Sequence, residues 1–452
     1  MSKTKSAFVC QNCGAQSPKW IGKCPECGEW NSYVEEIISI SPVQKSAGLL
    51  KLTQAEAIDT IKIDSVSRMD TSNSELNRVL GGGLVPGSVI LIGGEPGIGK
   101  STLVLQVALK IKNCKVLYIS GEESPQQIKL RSLRLQSSNK DCYICAETNL
   151  DSVLAQVQNT HPGLVIIDSI QTLSSERLEA IAGSVSQVRE STNQLIKMAK
   201  ETGIPVLIVG HINKEGNLAG PKVLEHMVVT VLQFEGDRNH IFRMLRASKN
   251  RFGSVSEIGI YQMQGDGLRE VLNPSELLFS TTDLQLSGIA IAAPVEGIRP
   301  LMVEVQSLVS TAAYGMPQRS ATGFDSKRLN MLLAILEKRA GFKLSSKDVF
   351  LNIAGGIRID DPAMDLAVIV SILSSDLDFV IDHSYCFAAE LGLSGQIRPV
   401  TRIEQRVMEA QKLGFSQIFV SKYNQKGVDF SQFSIKVVFI SKVEELIKIH
   451  FC

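Results

Sequence analysis

Short aliphatic runs alternate with helical periods over the middle of the chain. Apolar residues recur at helical spacing from Leu103 to Ile111, and a second helical stretch covers residues 185–202. The aliphatic runs occupy residues 89–92, 116–119, 164–167 and 206–209. Short buried strands separated by helices are typical of a parallel sheet that is covered on both faces. Residues 63–272 are therefore predicted to form one α/β domain.

Three further segments complete the predicted organisation. Two apolar runs, 228–234 and 241–247, flank Gly236 and Asp237 and predict a β-hairpin added at the edge of that sheet. Residues 273–452 repeat an α/β pattern and form a second predicted domain. Its predicted strands are 288–291, 301–305 and 349–353, and its predicted helices are 326–340, 364–374 and 404–413. Residues 1–35 form a Cys-rich module, and residues 36–62, which lack a sustained period, are predicted to be a linker.

Composition excludes several classes of protein. The chain has 452 residues, of which 44% are hydrophobic and 21% charged, which excludes wholesale disorder. Lys and Arg total 47 against 46 Asp and Glu, so any contact with nucleic acid must come from local basic patches. No apolar run approaches the ~18 residues of a membrane span, and the N-terminus lacks the apolar region of a secretory signal. We therefore expect a cytoplasmic protein without a membrane partner.

Four of the nine cysteines, Cys10, Cys13, Cys24 and Cys27, form two Cys-x2-Cys pairs. Four thiolates at this spacing suit tetrahedral Zn²⁺, and a doubled pair disfavours a redox role. Cys142 and Cys145 form a third such pair, but they have no second pair and lie in a strand-like run. Buried thiols are the favoured interpretation there.

A glycine-rich loop follows the run 89–92 and satisfies the pattern G-x-x-x-x-G-K-[ST]. The predicted nucleotide-binding residues are Gly94, Glu95, Pro96, Gly97, Ile98, Gly99, Lys100, Ser101 and Thr102. The glycines let backbone N–H groups converge on phosphates, and a helix N-terminus adds its positive end. Lys100 is expected to reach the β- and γ-phosphates of ATP, and Ser101 to bind Mg²⁺.

Two acidic residues are expected to complete this site. Asp168 ends the run 164–167, which places it beside the metal, although a strand-end residue that caps a turn is the alternative. Glu122 follows the run 116–119 and is a candidate to orient and deprotonate the attacking water. Its neighbour Glu123 competes for that role, and so does a purely electrostatic role at a helix N-terminus.

These features together resemble the bacterial RadA/Sms family of RecA-like recombination and repair ATPases. The resemblance covers nearly the whole chain. It includes the Cys-rich segment with Trp30 and Asn31, the phosphate loop, residues 220–227, and the signature Lys249, Asn250, Arg251, Phe252 and Gly253. The resemblance implies an N-terminal four-Cys zinc finger, a RecA-like P-loop core and a C-terminal domain similar to the Lon protease domain.

The resemblance also implies a function. Members of the family form a hexameric ring on single-stranded and branched DNA and assist RecA-driven strand exchange and branch migration. Lys249 and Arg251 resemble basic residues that ring helicases insert into the neighbouring subunit's ATP site, although solvated charge or contact with DNA phosphates are alternatives. An ATP-switched factor that recruits RecA without motor activity is the second hypothesis.

The chain departs from the Lon pattern where a peptidase needs its catalytic groups. Ala363 stands where the nucleophilic Ser belongs, and residues 403–406 hold no Lys. The domain is therefore predicted to be a scaffold without peptidase activity. A second departure is Val229, where the family usually has an acidic residue.

The candidate DNA contacts are basic residues in two regions. Arg319, Lys327, Arg328 and Arg339 lie in the C-terminal domain. For Arg328 and Arg339, on the predicted helix 326–340, a plain solvated face is the favoured interpretation. His211 occupies the position where RecA-like folds sense the γ-phosphate and connect to a DNA loop, and a satisfied polar loop residue is the equal alternative. Residues 211–216, with Lys214, are the candidate for that DNA loop, because Gly216 and Gly220 would allow it to move.

Overall fold

The computed structural model describes residues 4–11, 14–39, 68–210, 223–236, 242–272, 275, 286–312 and 316–451. The chain divides into two compact units, and the main division falls between Glu270 and Val271. This division lies two residues from the predicted domain boundary. The first unit contains the Cys-rich module together with the middle of the chain, and the second contains the C-terminal domain.

The Cys-rich module is a three-stranded antiparallel ribbon. Its strands are β1 (Thr4–Cys10), β2 (Gln16–Ser17) and β3 (Tyr33–Ser39), in the order β2-β1-β3. The pairing of β3 with β1 continues to Thr4 and Ser39. The predicted linker was therefore wrong over its first four residues, because the ribbon continues through them. Most of that predicted linker, residues 40–62, lies outside the described residues.

The middle of the chain forms a nine-stranded sheet in the order β12-β11-β10-β9-β4-β8-β7-β5-β6. The strands are β4 (Val89–Gly94), β5 (Val116–Ser120), β6 (Cys142–Ala146), β7 (Leu164–Asp168), β8 (Val206–Val209), β9 (Thr230–Glu235), β10 (Phe242–Asn250), β11 (Ile258–Gln264) and β12 (Gly267–Glu270). Strands β4 to β9 pair in parallel. Ile90 and Ile92 enter one hydrophobic cluster, and Val89 and Leu91 enter another. Both faces are thus covered, as predicted.

Helices connect these strands. They are α1 (Ser74–Leu80), α2 (Lys100–Lys110), α3 (Pro125–Arg134), α4 (Leu150–Thr160), α5 (Val185–Thr202) and α6 (Val223–Met227), with a 3₁₀ turn at Ile170–Thr172. The ends of α3 and α5 follow from local chemistry. Ser124 caps α3 in a reciprocal bond pair with Gln127, and α5 ends at Gly203 with a φ of 74°.

The predicted hairpin is present, but it does not form the sheet edge. Strands β9 and β10 pair antiparallel, which confirms the hairpin. Strands β11 and β12 extend the sheet by two more positions, so the prediction of an edge hairpin was wrong. Strand β12 begins at Gly267, whose φ of 121° is a left-handed conformation that favours glycine.

The C-terminal unit contains a mixed seven-stranded sheet in the order β17-β18-β16-β13-β19-β22-β23 and two small two-stranded ladders, β14-β15 and β20-β21. The strands are β13 (Ile289–Ala292), β14 (Val295–Glu296), β15 (Arg299–Pro300), β16 (Val303–Thr311), β17 (Arg319–Thr322), β18 (Lys347–Ile353), β19 (Tyr385–Ala388), β20 (Glu390–Leu391), β21 (Ile397–Arg398), β22 (Gln417–Ser421) and β23 (Lys436–Ile440). The helices are α7 (Ser326–Ala340), α8 (Asp365–Leu377), α9 (Ile403–Lys412) and α10 (Val443–His450), and 3₁₀ turns occupy Ala354–Gly356, Pro362–Met364, Lys422–Gln425 and Phe430–Gln432. All three predicted strands and all three predicted helices of this domain are present within a few residues. Across the described ranges, no helix has the length and apolar character needed to cross a bilayer.

Candidate nucleotide site and metal centre

The glycine-rich loop lies between the end of β4 and the first turn of α2, as predicted. Gly97 and Gly99 have φ values of 80° and 118°, which non-glycine residues rarely adopt. A Cβ atom on Gly99 would also lie 2.9 Å from Cε of Met263. The loop therefore depends on glycine at both positions. It directs the N-terminal end of α2, with its positive dipole end, at the space where phosphates would bind.

Lys100 is buried at the base of this loop. Its ammonium group donates to the carbonyl oxygens of Gly94 at 2.7 Å and Glu95 at 2.9 Å. Burial lowers the pKa of Lys100 to about 8, and the negative charges of Asp168 and Glu122 oppose that shift. The ammonium is thus already desolvated and held next to the loop, ready to exchange carbonyl oxygens for phosphate oxygens.

Asp168 and Ser101 meet beside the loop. Strands β5 and β7 pair with Ser120 opposite Asp168, so both strands end at the same edge of the sheet. The Ser101 hydroxyl donates to Oδ1 of Asp168 at 3.0 Å. A hydroxyl next to a carboxylate at a phosphate loop is the oxygen donor set that suits Mg²⁺ held with ATP. The residues present therefore fit that ion.

The structure distinguishes between the two neighbouring glutamates. Glu123 is engaged by the Arg131 guanidinium at 3.0 Å. Glu122 instead accepts a hydrogen bond from Ser169 Oγ at 2.9 Å, and its charge acts on the Lys100 ammonium. The geometry thus favours Glu122 as the carboxylate that faces the nucleotide side.

Two residues of this site were missed by sequence reasoning. Tyr118 is fully buried, and its hydroxyl donates to Oδ2 of Asp168. Burial, followed by the charge of Asp168, raises the pKa of Tyr118. Arg131 lies 3.9 Å from the same carboxylate oxygen and donates to the Tyr118 hydroxyl at 3.3 Å. In the sequence, Tyr118 is indistinguishable from a core aromatic residue and Arg131 from a solvated helix charge, so neither carried a usable signal.

The signature residues 249–253 anchor one end of β10. The Asn250 side-chain amide donates to Val79 O at 3.1 Å, and its oxygen accepts from the Phe252 N–H at 3.0 Å. A Cβ atom on Gly253 would meet Gly81 Cα at 3.1 Å, so the two backbones pack closely there. Asn250 and Gly253 therefore fix this segment on the C-terminal end of α1.

The two basic signature residues differ in their contacts. The Lys249 ammonium donates to the carbonyl oxygens of Glu225 at 2.7 Å and His226 at 3.2 Å. Arg251 is exposed, and its backbone N–H donates to the carbonyl of Val229 at 3.1 Å. Among the described residues, the Arg251 guanidinium makes no hydrogen bond or ion pair.

Strand register places Arg251 far from the phosphate loop of its own chain. Gly94, where the loop begins, pairs with Phe234, which pairs with Leu245. Ile90 pairs with Thr230, which pairs with Asn250, so Arg251 lies at the opposite end of β4. Four residues of strand separate these two rows, roughly 13 Å. The structure thus brings Lys100, Ser101, Glu122 and Asp168 together and leaves Lys249 and Arg251 apart from them.

The metal centre is formed by three described cysteines, Cys10, Cys24 and Cys27, whose sulfurs all lie within 4.8 Å of one another. Cys13, the fourth predicted ligand, lies outside the described residues. The Sγ atoms of Cys10 and Cys27 are 3.7 Å apart, which matches the edge of a tetrahedron with Zn–S bonds of about 2.3 Å. The N–H of Gly28 donates to the Cys24 carbonyl at 2.9 Å and closes a tight turn at that pair. The residues present therefore fit zinc.

Cys142 and Cys145 lie on β6, the edge strand of the first unit's large sheet, and both are half-buried. Burial raises the pKa of Cys142 to about 11 and also raises the pKa of Cys145. Both groups therefore stay protonated at neutral pH, which supports their interpretation as thiols without a metal.

The position of the missing Lon nucleophile is part of the core. Ala363 is fully buried, and its N–H donates to Asp361 Oδ1 at 3.0 Å. The other oxygen of Asp361 pairs with Arg406 at 2.7 Å, and Arg406 also donates to Ala293 O. Burial lowers the pKa of Arg406, which the Asp361 charge opposes. The basic residue in this region is thus Arg406, whose guanidinium N–H groups already donate to Asp361 and to the carbonyl of Ala293.

The predicted DNA contacts have different surroundings. Arg328 donates to both oxygens of the buried Asp365 and to Leu391 O, so its guanidinium stabilises the fold. Lys327 and Arg339 are exposed on α7, and Arg319 is exposed on the edge strand β17. His211, Lys214 and Gly216 lie outside the described residues.

Three segments of the chain match known families. Residues 54–217 match the family described as AAA domain, residues 8–35 match Rubredoxin metal binding domain, and residues 302–424 match Subunit ChlI of Mg-chelatase. These matches support the three-part architecture of a metal ribbon, a P-loop ATPase core and a Lon-like C-terminal domain.

Whole-chain relatives carry the name DNA repair protein RadA. The Bacillus subtilis protein is 48% identical over 454 residues, which covers 99% of each chain. The Streptococcus pyogenes serotype M3 protein is 49% identical over 451 residues, again covering 99% of each chain. The Listeria monocytogenes protein is 49% identical and covers 99% of this chain and 98% of its own. The resemblance predicted from the motifs is thus confirmed, and the chain belongs to the RadA family of DNA repair proteins.

Proposed function

We propose that this protein is a DNA-stimulated ATPase that processes recombination intermediates. It assembles into a ring, in our proposal a hexamer, on single-stranded or branched DNA. There it promotes RecA-mediated strand exchange and branch migration in a helicase-like manner. The relatives' name, DNA repair protein RadA, supports the DNA-repair setting, and the AAA-domain match supports ATP hydrolysis.

One observation carries the proposal of assembly. A single chain holds the loop, Lys100, Ser101 and two carboxylates at one end of β4, while Arg251 extends from the opposite end. In this proposal, charge that develops on the γ-phosphoryl oxygens is stabilised by a further cation beside Lys100, and Arg251 lies too far from the loop of its own chain to be that cation. A second copy, packed head to tail, would supply Arg251, with Lys249 beside it. Such heterologous contacts form a ring when the rotation between copies closes, and the proposal is that it does.

Each residue of the site then has a distinct role. Lys100 neutralises the β- and γ-phosphates, and Ser101 with Asp168 holds the Mg²⁺ that arrives with ATP. Glu122 orients the attacking water and takes its proton. Bound Mg·ATP supplies the electrophilic phosphorus and the leaving group. Hydrolysis would thus depend on assembly, because the last cation comes from a neighbouring subunit.

The DNA contacts are part of the same proposal. Arg319 and Lys327 are exposed basic residues of the C-terminal unit and are available to DNA phosphates. Lys214 belongs to the loop that would follow DNA inside the ring. The C-terminal unit acts as a scaffold and not as a peptidase, because Ala363 offers no nucleophile.

A second candidate function is an ATP-dependent switch that recruits RecA without moving on DNA. The metal ribbon favours this alternative, since small zinc modules commonly serve as partner-binding surfaces. Both candidates bind and hydrolyse ATP, so only movement separates them.

The test combines ATPase rates with and without single-stranded DNA and strand displacement on a forked substrate. The motor proposal expects stimulation by DNA together with displacement that requires ATP. Stimulation without displacement, even when RecA is present, would favour the switch. A rate that is insensitive to DNA, from a protein that stays monomeric, would contradict both the ring and the DNA-stimulated ATPase.

A further inference from the structure

The only two tryptophans of the chain are both exposed on the metal ribbon. Trp20 is 51% and Trp30 is 67% accessible to solvent. Tryptophan is strongly buried on average in folded proteins, so two exposed indoles on one small module point to an interaction surface. We call Trp20, Trp30, Lys19 and Lys23 the tryptophan patch.

The two rings border the same backbone position. A Cβ atom on Gly22 would lie 3.6 Å from Cη2 of Trp20 and 3.9 Å from Cζ3 of Trp30. The Asn31 N–H donates to Gly22 O at 2.7 Å, and Lys23 and Trp30 form an antiparallel bridge. The rings are therefore neighbours on a short hairpin, and Gly22 leaves room between them.

Positive charge lies next to the rings. The Lys23 ammonium is 5.5 Å from the centre of the Trp30 ring, and Lys19 is an exposed direct neighbour of Trp20. Open indole faces combined with ammonium groups match the chemistry of single-stranded nucleic acid, whose bases stack on aromatic rings while lysines contact the phosphates.

A protein partner fits these surroundings less well. The residues around the rings are mostly polar and exposed, including Lys19, Glu26 and Glu29. Two partly exposed indoles present on the order of 300 Å² of aromatic surface. A stable protein interface buries roughly 800 Å² on each side and has an apolar centre. We infer that the tryptophan patch binds single-stranded DNA by stacking bases on Trp20 and Trp30, a contact that rests on the proposed action on DNA.

The metal centre supports the patch. Cys24 and Cys27 lie in the hairpin between the two tryptophans. Among the described residues of the ribbon, the buried cluster consists of Cys10, Cys24 and Tyr33, with four partly buried residues packed against it. A core of this size cannot hold the hairpin by hydrophobic burial alone, so the bound metal would fix the distance between the rings.

Intrinsic fluorescence tests the inference directly, because tryptophan emission of the full-length protein comes from the patch alone. We expect a single-stranded oligothymidylate to quench that emission in a saturable titration. An oligonucleotide of the same length that is abasic throughout keeps the phosphates but offers no bases, so we expect it to bind without quenching. Absence of quenching by oligothymidylate, or equal quenching by both oligonucleotides, would overturn the inference.

Variants provide the second arm of the test. Trp20→Leu and Trp30→Leu should each weaken oligothymidylate binding about 10-fold in a filter or anisotropy assay. Tyr143→Leu is the matched control, because Tyr143 is 45% exposed and lies under the Lys115 ammonium, but on the ATPase sheet. Zinc content of each variant reports whether the ribbon is folded. If the tryptophan variants bind DNA normally but lose binding to purified RecA, the patch is a protein-binding surface and the inference is wrong.

This result is separable from the proposed function. ATPase stimulation by DNA in the wild-type protein tests the proposed function, whereas quenching tests the patch. Stimulation without quenching would refute the patch alone, and quenching without stimulation would refute the DNA-stimulated ATPase alone.

Discussion

Arg251→Ala should abolish most ATP turnover while it leaves nucleotide binding nearly unchanged. A cation that stabilises the transition state from a neighbouring subunit contributes on the order of 10³-fold or more to turnover in P-loop enzymes. It contributes little to the affinity for ATP, because the charge that it stabilises develops only during phosphoryl transfer.

The structure shows why Arg251 does not reach the phosphate loop of its own chain. The row of strand residues that ends at Asn250 lies roughly 13 Å from the row that contains Gly94, where the phosphate loop begins. That distance is longer than an extended arginine side chain. Asn250 is anchored on Val79 and Gly253 packs on Gly81, so the backbone around Arg251 is held in place.

Mixing two inactive variants tests the geometry. Lys100→Ala removes the phosphate-binding ammonium and keeps Arg251, whereas Arg251→Ala does the reverse. In randomly mixed rings, about one quarter of the interfaces pair an intact loop with an intact arginine. We therefore expect an equal mixture to recover about a quarter of the wild-type ATPase rate, although each variant alone is nearly inactive. Arg269→Ala, an exposed arginine on β12 of the same sheet, is the control and should keep full activity.

Two results would refute this reasoning. If the mixture stays as inactive as its components while light scattering shows that mixed rings form, Arg251 does not act across an interface. If Arg251→Ala lowers the affinity for ATP but leaves turnover at saturating ATP unchanged, the residue binds the ground state as strongly as the transition state, and the proposed role is wrong.

Four further predictions concern other parts of the molecule. The Lys100 ammonium has a pKa of about 8 and is charged below that pH, and bound ATP favours the charged form. Above pH 8, nucleotide binding should therefore take up a proton, and the affinity for nucleotide should fall as the pH rises. Calorimetry in buffers of different ionisation enthalpy measures this proton uptake, and identical heats of binding in all buffers would contradict it. Tyr118→Phe removes the hydrogen bond to Asp168 and should raise the Mg²⁺ concentration needed for half-maximal ATPase, whereas Tyr143→Phe should not. Cys24→Ser should remove the zinc, as metal analysis would show, and leave the DNA-independent ATPase activity largely intact. Equal loss of zinc and of ATPase activity would show that the ribbon and the ATPase core do not work separately. Arg328→Ala leaves the buried Asp365 without its ion-pair partner and should lower the free energy of unfolding by about 3–5 kcal/mol. Arg358→Ala is the control. Its ion pair with Asp360 is exposed, so the free energy of unfolding should change by no more than about 0.5 kcal/mol.

Much of the nucleotide site could be predicted from sequence because its parts are local or lie at strand ends. The glycine-rich pattern after a buried run specifies a loop and the helix that follows it. Asp168 was predictable because the carboxyl ends of parallel strands meet at one edge of a sheet. The helices 185–202 and 326–340 were predicted with the bounds that the structure has, since their amphipathic periods are long and their C-terminal glycines are clear.

The remaining features depend on contacts that no local pattern encodes. The choice between Glu122 and Glu123 is decided by Arg131, which reaches back from the following helix. Arg328 has the sequence context of a solvated helix charge, yet its partner Asp365 lies 37 residues away. Strands β11 and β12 were missed because they alternate polar and apolar residues only briefly around a glycine turn.

In the proposed ring, the order of strands would connect the phosphate site of one subunit to the site of its neighbour. Strand β4 leads directly into the phosphate loop, β9 pairs along β4, and β10 pairs along β9 and ends at Asn250, next to Arg251. The parallel pairing of β4 with β9 and the antiparallel pairing of β9 with β10 thus connect the phosphate loop of a chain to Arg251, the residue that it would present to its neighbour. Hydrogen-bonded strands move together, so a small rotation of this sheet when phosphate leaves would displace Arg251 in the next site.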